Sequence, residues 1–327
     1  MKARYFSLLI VILLSTQNYA QDNDLPEEKS FVNIGLLGIL CTNGEDTHET
    51  MNNLSISPIH SMVGYIKGFS IAPFNHVSHN LTGLQIGMVN SVNKKVQGAQ
   101  IGIANSVNKE VRGVQIGLVN EATIMNGVQI GFANIKKKGG MQIGALNIAD
   151  HNDFPIGLVN IIKDGDMNPG IAIYEMSLLM STFRSGGKHL YGVAGVGYSF
   201  ASSIDHIVFE GGFGAHLFNI KQFRLDTEIT TAYLTKIYVQ TGEPEETKEK
   251  AKDYDYKAAF RVSARLIPSI RIEKHFELFG GPTINYLQSH SMGNEHIFPK
   301  HYSWRKFTSK SLKQIHWGWI VGVQYKI

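Results

Sequence analysis

The sequence is short of several things, and each shortage removes a class of protein. It holds one cysteine, Cys41, so no internal disulfide can staple it. Beyond the first twenty residues no stretch offers about 18 uninterrupted apolar residues, the least a membrane-crossing helix needs. A large excess of one charge is missing too. The 31 Lys and Arg stand against 27 Asp and Glu, too even a balance to call for nucleic acid. Signatures of chemistry are equally scarce. Gly192-x-x-Gly195-x-Gly197 lies inside a strand-like run and opens no helix, so it is not a dinucleotide loop. No Gly-x-Ser-x-Gly elbow or zinc motif appears. His290, Glu295, His296 and His301 share one segment but match no ligand spacing. Ser289, His290 and Ser291 are neighbours, and a strand points neighbours to opposite faces. The chain reads as non-enzymatic, with no cofactor and no metal.

What is present begins with an export signal. Lys2 and Arg4 precede an apolar run over residues 8–14 and small or polar residues ending at Ala20. That is the layout of a secretory signal peptide over residues 1–20. Loss of Lys2 and Arg4 brings the formal charge from +4 to +2. Residues 21–30 are polar and expected to be a flexible N-terminus. Cys41 follows Leu40 and lies far past the apolar run, the wrong setting for a lipid-bearing cysteine, and reads as buried.

The dominant feature is a repeat. Gly-x-Gln-Ile-Gly-x-x-Asn is written at residues 83–90, 98–105, 113–120, 127–134 and 140–147, and a sixth copy has Pro155 in place of glutamine. Successive glutamines lie 15, 15, 14 and 13 residues apart. So short a period is one strand and one turn, well below the roughly 20–50 residues of helical repeats. Within a copy the residues alternate, Leu84, Ile86 and Met88 against Gln85, Gly87 and Val89, as in a strand with one bulky apolar face.

After Gly165 the strands lengthen. Phe223, Leu225, Ile229 and Tyr233 oppose Arg224, Asp226 and Glu228, and Tyr256, Phe260, Val262, Leu266 and Ile270 oppose Arg261, Arg265 and Arg271. Glu277 belongs to the polar face of the next strand, and the last carries Trp317, Trp319, Val321, Val323 and Tyr325 on one side. Connections alternate long and short, with the long ones near residues 241–253 and 291–311. Apolar-out, polar-in strands with aromatic girdles and alternating loop lengths are the signature of bacterial transmembrane barrels. Closure also removes exposed edges. The expectation is an all-β, antiparallel transmembrane β-barrel of about 14–16 strands spanning residues 31–327, in which each 13–15-residue repeat supplies one strand (repeat strands 83–162, longer strands 168–327).

The repeat copies and the run Phe154-Pro155-Ile156-Gly157-Leu158-Val159-Asn160-Ile161-Ile162-Lys163 resemble the bacterial surface-repeat family. The phrase Gly280-Gly281-Pro282-Thr283 to Tyr286 is similar to late strands of outer-membrane barrels. The resemblance implies a cell outer-membrane location and a barrel-like architecture, and it carries no chemistry. The missing glutamine at Pro155 fits such an array ending there.

Candidate lumen-facing residues are therefore Gln85, Gln100, Gln115, Gln129, Gln142, Arg224, Asp226, Glu228, Arg261, Arg265, Arg271 and Glu277. The amides either line a channel or satisfy one another across strands. The charges either hold the barrel's shape or form a selective constriction. The expected function is an integral outer-membrane barrel, a passive pore or a structural and surface-display protein. Its partners would be outer-membrane lipid, small solutes or surface ligands, and the barrel-assembly machinery, which reads the C-terminal strand. The alternative is a β-roll repeat domain fused to a small C-terminal barrel, an adhesin-like binding protein.

Overall fold

The computed structural model of the protein describes residues 26, 28–152, 154–175, 178–199, 206–236, 258–290, 298–308 and 311–327. The expected leader, the charged stretch 243–255 and Tyr256 lie outside them. The chain divides into two units, residues 1–140 and 141–327.

In the first unit the repeats are stacked coils of a parallel β-solenoid. Leu81–Ile86 pairs in parallel with Lys95–Ile101, which pairs with the next coil, so that Gly83 lies beside Gly98 and Gly113 and Gln85 beside Gln100 and Gln115. On the opposite wall Phe74–Val77, Val89–Val92 and the start of Ala104–Lys138 stack likewise, Asn75 beside Asn90 and Asn105. Glu28–Ser30, expected to be loose, already belong to the first strand, Glu28–Leu37.

This overturns the expectation that each repeat gives one antiparallel barrel strand. A period holds two short strands, because the chain turns a corner at the Ile-Gly step. Parallel stacking then sets each residue on its equivalent in the next coil. Glycine is obligatory at Gly98, where φ is +140° and an added Cβ would sit 1.9 Å from the Gly83 carbonyl oxygen. Valines fill the narrow interior, Val77, Val92 and Val107 on one wall and Val96 and Val111 on the other. The alternation seen in the sequence holds, but with Gln85 inside the coil and Ile86 and Met88 on its outer surface.

The second unit opens with two further coil strands, Met141–Ala149 and Pro155–Ile162, paired in parallel. Eight antiparallel strands follow: β1 Asp166–Tyr174, β2 Leu178–Gly186, β3 Leu190–Ser199, β4 His206–Ile220, β5 Phe223–Lys236, β6 Ala259–Arg271, β7 Phe276–Ser289 and β8 Ser311–Tyr325. Each pairs with the next, and β1 pairs with β8, so the ring closes. The strand count is eight rather than 14–16, because the repeat block folds into coils and adds nothing to the ring. Residues 187–189, 221–222 and 272–275 make short turns at one end; at the other the strand ends are separated in sequence by the three residues 175–177 and by the longer stretches 200–205, 237–258 and 290–310. Within the last of these, Trp304–Thr308 pairs antiparallel with β8.

Alternation sorts the ring's side chains. Ile171, Phe209, Ile229, Leu278, Trp317 and Val321 stand on the outer wall, all strongly exposed, with Trp317 at 66%. The charged residues of the same strands point inward. No helix among the described residues is long and apolar enough to cross a membrane, which says nothing of a β-barrel.

Candidate functional site in the barrel interior

The barrel interior is layered along its axis. Toward the end with the longer connections it is apolar: Leu178, Leu234, Leu287, Phe298 and Leu312 are buried together. Phe298 comes from the last long connection and covers the mouth from within.

Below this layer sits a charged core. Glu210 of β4 accepts from the Tyr174 hydroxyl at 2.8 Å and from Arg261 Nη2 at 3.1 Å. Arg265 grips both oxygens of Glu210, with Nη1 at 3.0 Å from Oε1 and Nη2 on Oε2. Arg265 Nη1 also reaches Glu228 at 3.4 Å. Glu228 in turn accepts from Arg184 Nε at 2.7 Å and from the Tyr191 hydroxyl at 3.0 Å. The Arg265 and Arg261 guanidiniums lie over the Tyr174 ring, 4.7 and 5.2 Å from its centre. Three arginines thus meet two glutamates here. A third carboxylate, Glu175, accepts from Asn285 at 2.8 Å and stands 3.4 Å from His316. Charges taken out of water are tolerable only when paired and hydrogen-bonded in this way.

A third layer lies at the short-turn end. Arg224 bridges Glu277 at 3.1 Å, Asp166 at 3.1 Å and Asp226 at 3.0 Å, the last off line for a hydrogen bond. Lys326 closes on Asp166 at 2.6 Å, and His216 Nδ1 on Asp226 at 2.7 Å. A rim cavity of about 520 Å³ opens beside this layer, lined by His151, Asp164, Lys188, His216, Arg224 and Lys326. Among the described residues no three His, Cys, Asp or Glu side chains are grouped to hold a metal. His290 and His301 are exposed, while Glu295 and His296 lie outside the described residues. Ser289 is buried and His290 is not, so the two point apart.

Arg224, Asp226, Glu228, Arg261, Arg265 and Glu277 all face the barrel interior, and Arg271 is half-buried at its rim, in register with Glu277. Together they form a filled network. The five glutamines are elsewhere, inside the coils. Gln100 donates to Gln85, Gln115 to Gln100 and Gln129 to Gln115, each at 2.8 Å. Their expected place in a barrel lumen is therefore corrected. Five wide-spaced copies in parallel register put amide on amide, and that satisfies them without any channel.

No protein-family model and no curated protein matches the chain. One solved chain, described as "De novo design of transmembrane beta-barrels", is similar at 10% identity, covering 50% of this chain and 94% of its own length with a TM-score of 0.26. That likeness is too slight for any inference to rest on it.

The repeat's asparagines form a second ladder that escaped notice in the sequence. Asn75, Asn90, Asn105 and Asn120 each donate to the next asparagine at 2.8–3.0 Å and to the carbonyl of Ile86, Ile101, Ile116 or Ile130. In the second unit Asn152 donates to Gln142 at 2.9 Å, supplying the bond a sixth glutamine would have made where Pro155 stands. Asn160 donates to the Ser185 carbonyl of β2 at 3.0 Å, and the Asn160 amide to Ser185 Oγ at 2.9 Å. The final coil is thereby sealed onto the barrel wall. Arg184 and Glu210 were also missed. A lone acid in the apolar, glycine-rich run Ile207-Val208-Phe209-Glu210-Gly211 was the available signal.

Proposed function

We propose that the barrel is an outer-membrane anchor and that the solenoid it carries is a periplasmic scaffold. One observation carries this reading: a closed ring whose outer wall is mainly apolar where the last coil does not cover it, with the charges of its strands turned inward. Soluble monomers rarely expose apolar patches above a few hundred Å², and a transmembrane strand needs about 9–11 residues, which β1 to β8 supply. The layered, paired interior favours an anchor over a conduit for solutes.

Bacterial barrels keep short turns in the periplasm and long loops outside. The short turns, Ile327 and the start of β1 share one end, and the last coil strand meets β2 beside the 187–189 turn. The chain enters the barrel from that side, so the repeats belong in the periplasm. Display at the cell surface then falls to the long connections.

The test has two parts. Intact barrel should migrate differently on gels before and after boiling and should need detergent for extraction. An epitope placed at Lys109 should resist external protease on whole cells and be cut once the outer membrane is permeabilised. A mature chain that is monodisperse in buffer without detergent would sink the anchor, and cleavage on intact cells would reverse the orientation.

A further inference from the structure

Each coil of the first unit turns one corner just after an isoleucine, on an Ile-Gly-apolar step in the later four coils and on Ile56-Ser57-Pro58-Ile59 and Ile71-Ala72-Pro73-Phe74 in the earlier two. Those corners are bare: Ile86 and Met88, Ile101 and Ile103, Ile116 and Leu118, Ile130 and Phe132 are all exposed, Phe132 by 67%. Ile56 with Ile59 and Ile71 with Phe74 continue the line toward the N-terminal end. Six corners stacked at about 4.8 Å per strand make an apolar ridge roughly 24 Å long. No charged residue interrupts these corner steps. The charges lie at the other turn of the coil, where Lys95, Lys109, Lys137 and Lys138 are exposed.

We infer that this ridge lies in the hydrocarbon of the periplasmic leaflet, so that the solenoid is a monotopic membrane domain attached to a barrel. The inference rests on the anchor reading above. Three features point to lipid. First, the corner backbone is already paired. The Ile101 carbonyl takes the Gly87 amide at 3.1 Å and Asn90 Nδ2 at 2.9 Å, and the Ile116 carbonyl takes Gly102 and Asn105 at 3.0 and 2.9 Å. Hydrocarbon accepts only backbone whose polar groups are satisfied internally. Second, the ridge is uniform along its length and offers no polar group to fix a register. A protein interface carries about ten hydrogen bonds, whereas a fluid acyl layer needs none.

Third, the second unit shows the same corner position seated beside barrel wall. Leu158, the equivalent of Met88 and Leu118 in the last coil, lies over Gly211 of β4, 3.1 Å from where a Cβ would stand. Gly192 of β3 is pressed against the Gly157 carbonyl in the same patch. Leu158 remains 40% exposed and adjoins the outer-wall side chains Phe209 and Phe213. The corner of the coil and the apolar wall of the ring are there one surface. An amphipathic element with a charged edge opposite an apolar one lies in the interface plane.

The test uses the full mature chain in phosphatidylcholine vesicles whose acyl chains carry bromine. Trp304, Trp317 and Trp319 are the chain's only tryptophans. In the unaltered protein, quenching of Trp317 and Trp319 reports on the barrel. In a chain with all three changed to Phe, Ile103→Trp and Leu118→Trp should each be quenched at least two-fold, and Lys109→Trp should not. Quenched barrel tryptophans with unquenched ridge positions overturn the ridge inference and leave the anchor standing. Absence of quenching at both overturns both. If the tryptophan-free chain loses its heat-shifted migration, a nitroxide on cysteine at 103, 118 or 109 in a Cys41→Ser chain replaces it. Oxygen should then reach positions 103 and 118 better than a water-soluble nickel complex does, with the reverse at 109; preference for nickel at all three overturns the inference.

Discussion

Replacing Gln115 by Met, which is close to it in length and volume, should destabilise the solenoid far more than the same change at Gln85. Gln115 sits in the middle of the amide ladder. It donates to Gln100 at 2.8 Å and to the Glu121 carbonyl at 3.1 Å, and it accepts from Gln129 at 2.8 Å. Its loss leaves the Gln100 amide oxygen and the Glu121 carbonyl without those donors, and leaves Gln129 with only the Ile135 carbonyl of these two acceptors. Each orphaned buried group costs about 1–3 kcal/mol, so roughly 2–5 kcal/mol is at stake. Gln85 ends the ladder. Its Nε2 has no partner, and its oxygen accepts only from Gln100. Gln85→Met strands one donor but removes another already stranded, a net cost of about 0–2 kcal/mol. The difference, about 2–3 kcal/mol, corresponds to a 30- to 150-fold faster opening equilibrium, since about 1.4 kcal/mol is tenfold. Hydrogen exchange of amides in residues 95–119, read by mass spectrometry on the full chain in detergent, measures it. Equal acceleration in the two variants, or none in Gln115→Met, would refute the ladder as a source of stability.

Four further outcomes follow from the same structure. Gly98→Ala forces a Cβ against the Gly83 carbonyl at 1.9 Å in a backbone of φ +140°; it should cost more than about 3 kcal/mol and abolish protection of the neighbouring coils. Arg265→Met leaves Glu210 and Glu228 short of a counter-charge, at a cost of about 3–5 kcal/mol. The temperature at which the folded gel band disappears should drop sharply, with partial recovery when Glu210→Gln is added. Planar bilayers containing the protein should show no conductance steps, and steady steps would disprove the filled interior. Finally, burial and the nearby His60 and His48 push His76 down to about 4. With its folded value depressed, its contribution is intact above the ordinary 6.5 or so and is lost as pH falls from there toward 4. Denaturant titrations at pH 7.5 and 5 should differ by on the order of 1–2 kcal/mol after solvent screening, and His76→Gln should flatten the difference.

The barrel was legible because its strands write the distinction between inside and outside in the strongest terms available, arginine against phenylalanine. Arg224, Asp226 and Glu228 alternate with Leu225, Thr227 and Ile229, and no other period accommodates them. Where that contrast fades the reading fails: in Met180-Ser181-Thr182-Phe183-Arg184 neither face is plainly polar, and Arg184 was missed. The repeats misled for a different reason. Alternation states which side chains share a face, but it does not state which way the partner strand runs. The Ile-Gly corner splits each period into two strands, and its glycine looks the same in sequence as a strand-interior glycine. What could have separated parallel coils from hairpins was the fixed five-residue step from glutamine to asparagine in every copy, with both recurring in phase while the period fell from 15 to 13, since amides satisfy one another best when like lies on like. The asparagine ladder went unread because its residues fall at the end of the motif, where a turn was expected.

The 15-residue offset of the earlier coils has a consequence for heredity. Excising residues 98–112 would join Gln97 to Gly113 and set Gly83 opposite Gly113, Gln85 opposite Gln115 and Asn90 opposite Asn120, the pairings the remaining neighbours already make. Whole coils can therefore be lost or duplicated without any seam, and the ladders also run on through the later 14- and 13-residue periods, whose missing residues come out of the turn between Asn and the next Gly. Length becomes a quantity that recombination between near-identical copies can adjust in steps, leaving the closing bonds of Asn152 and Asn160 untouched each time.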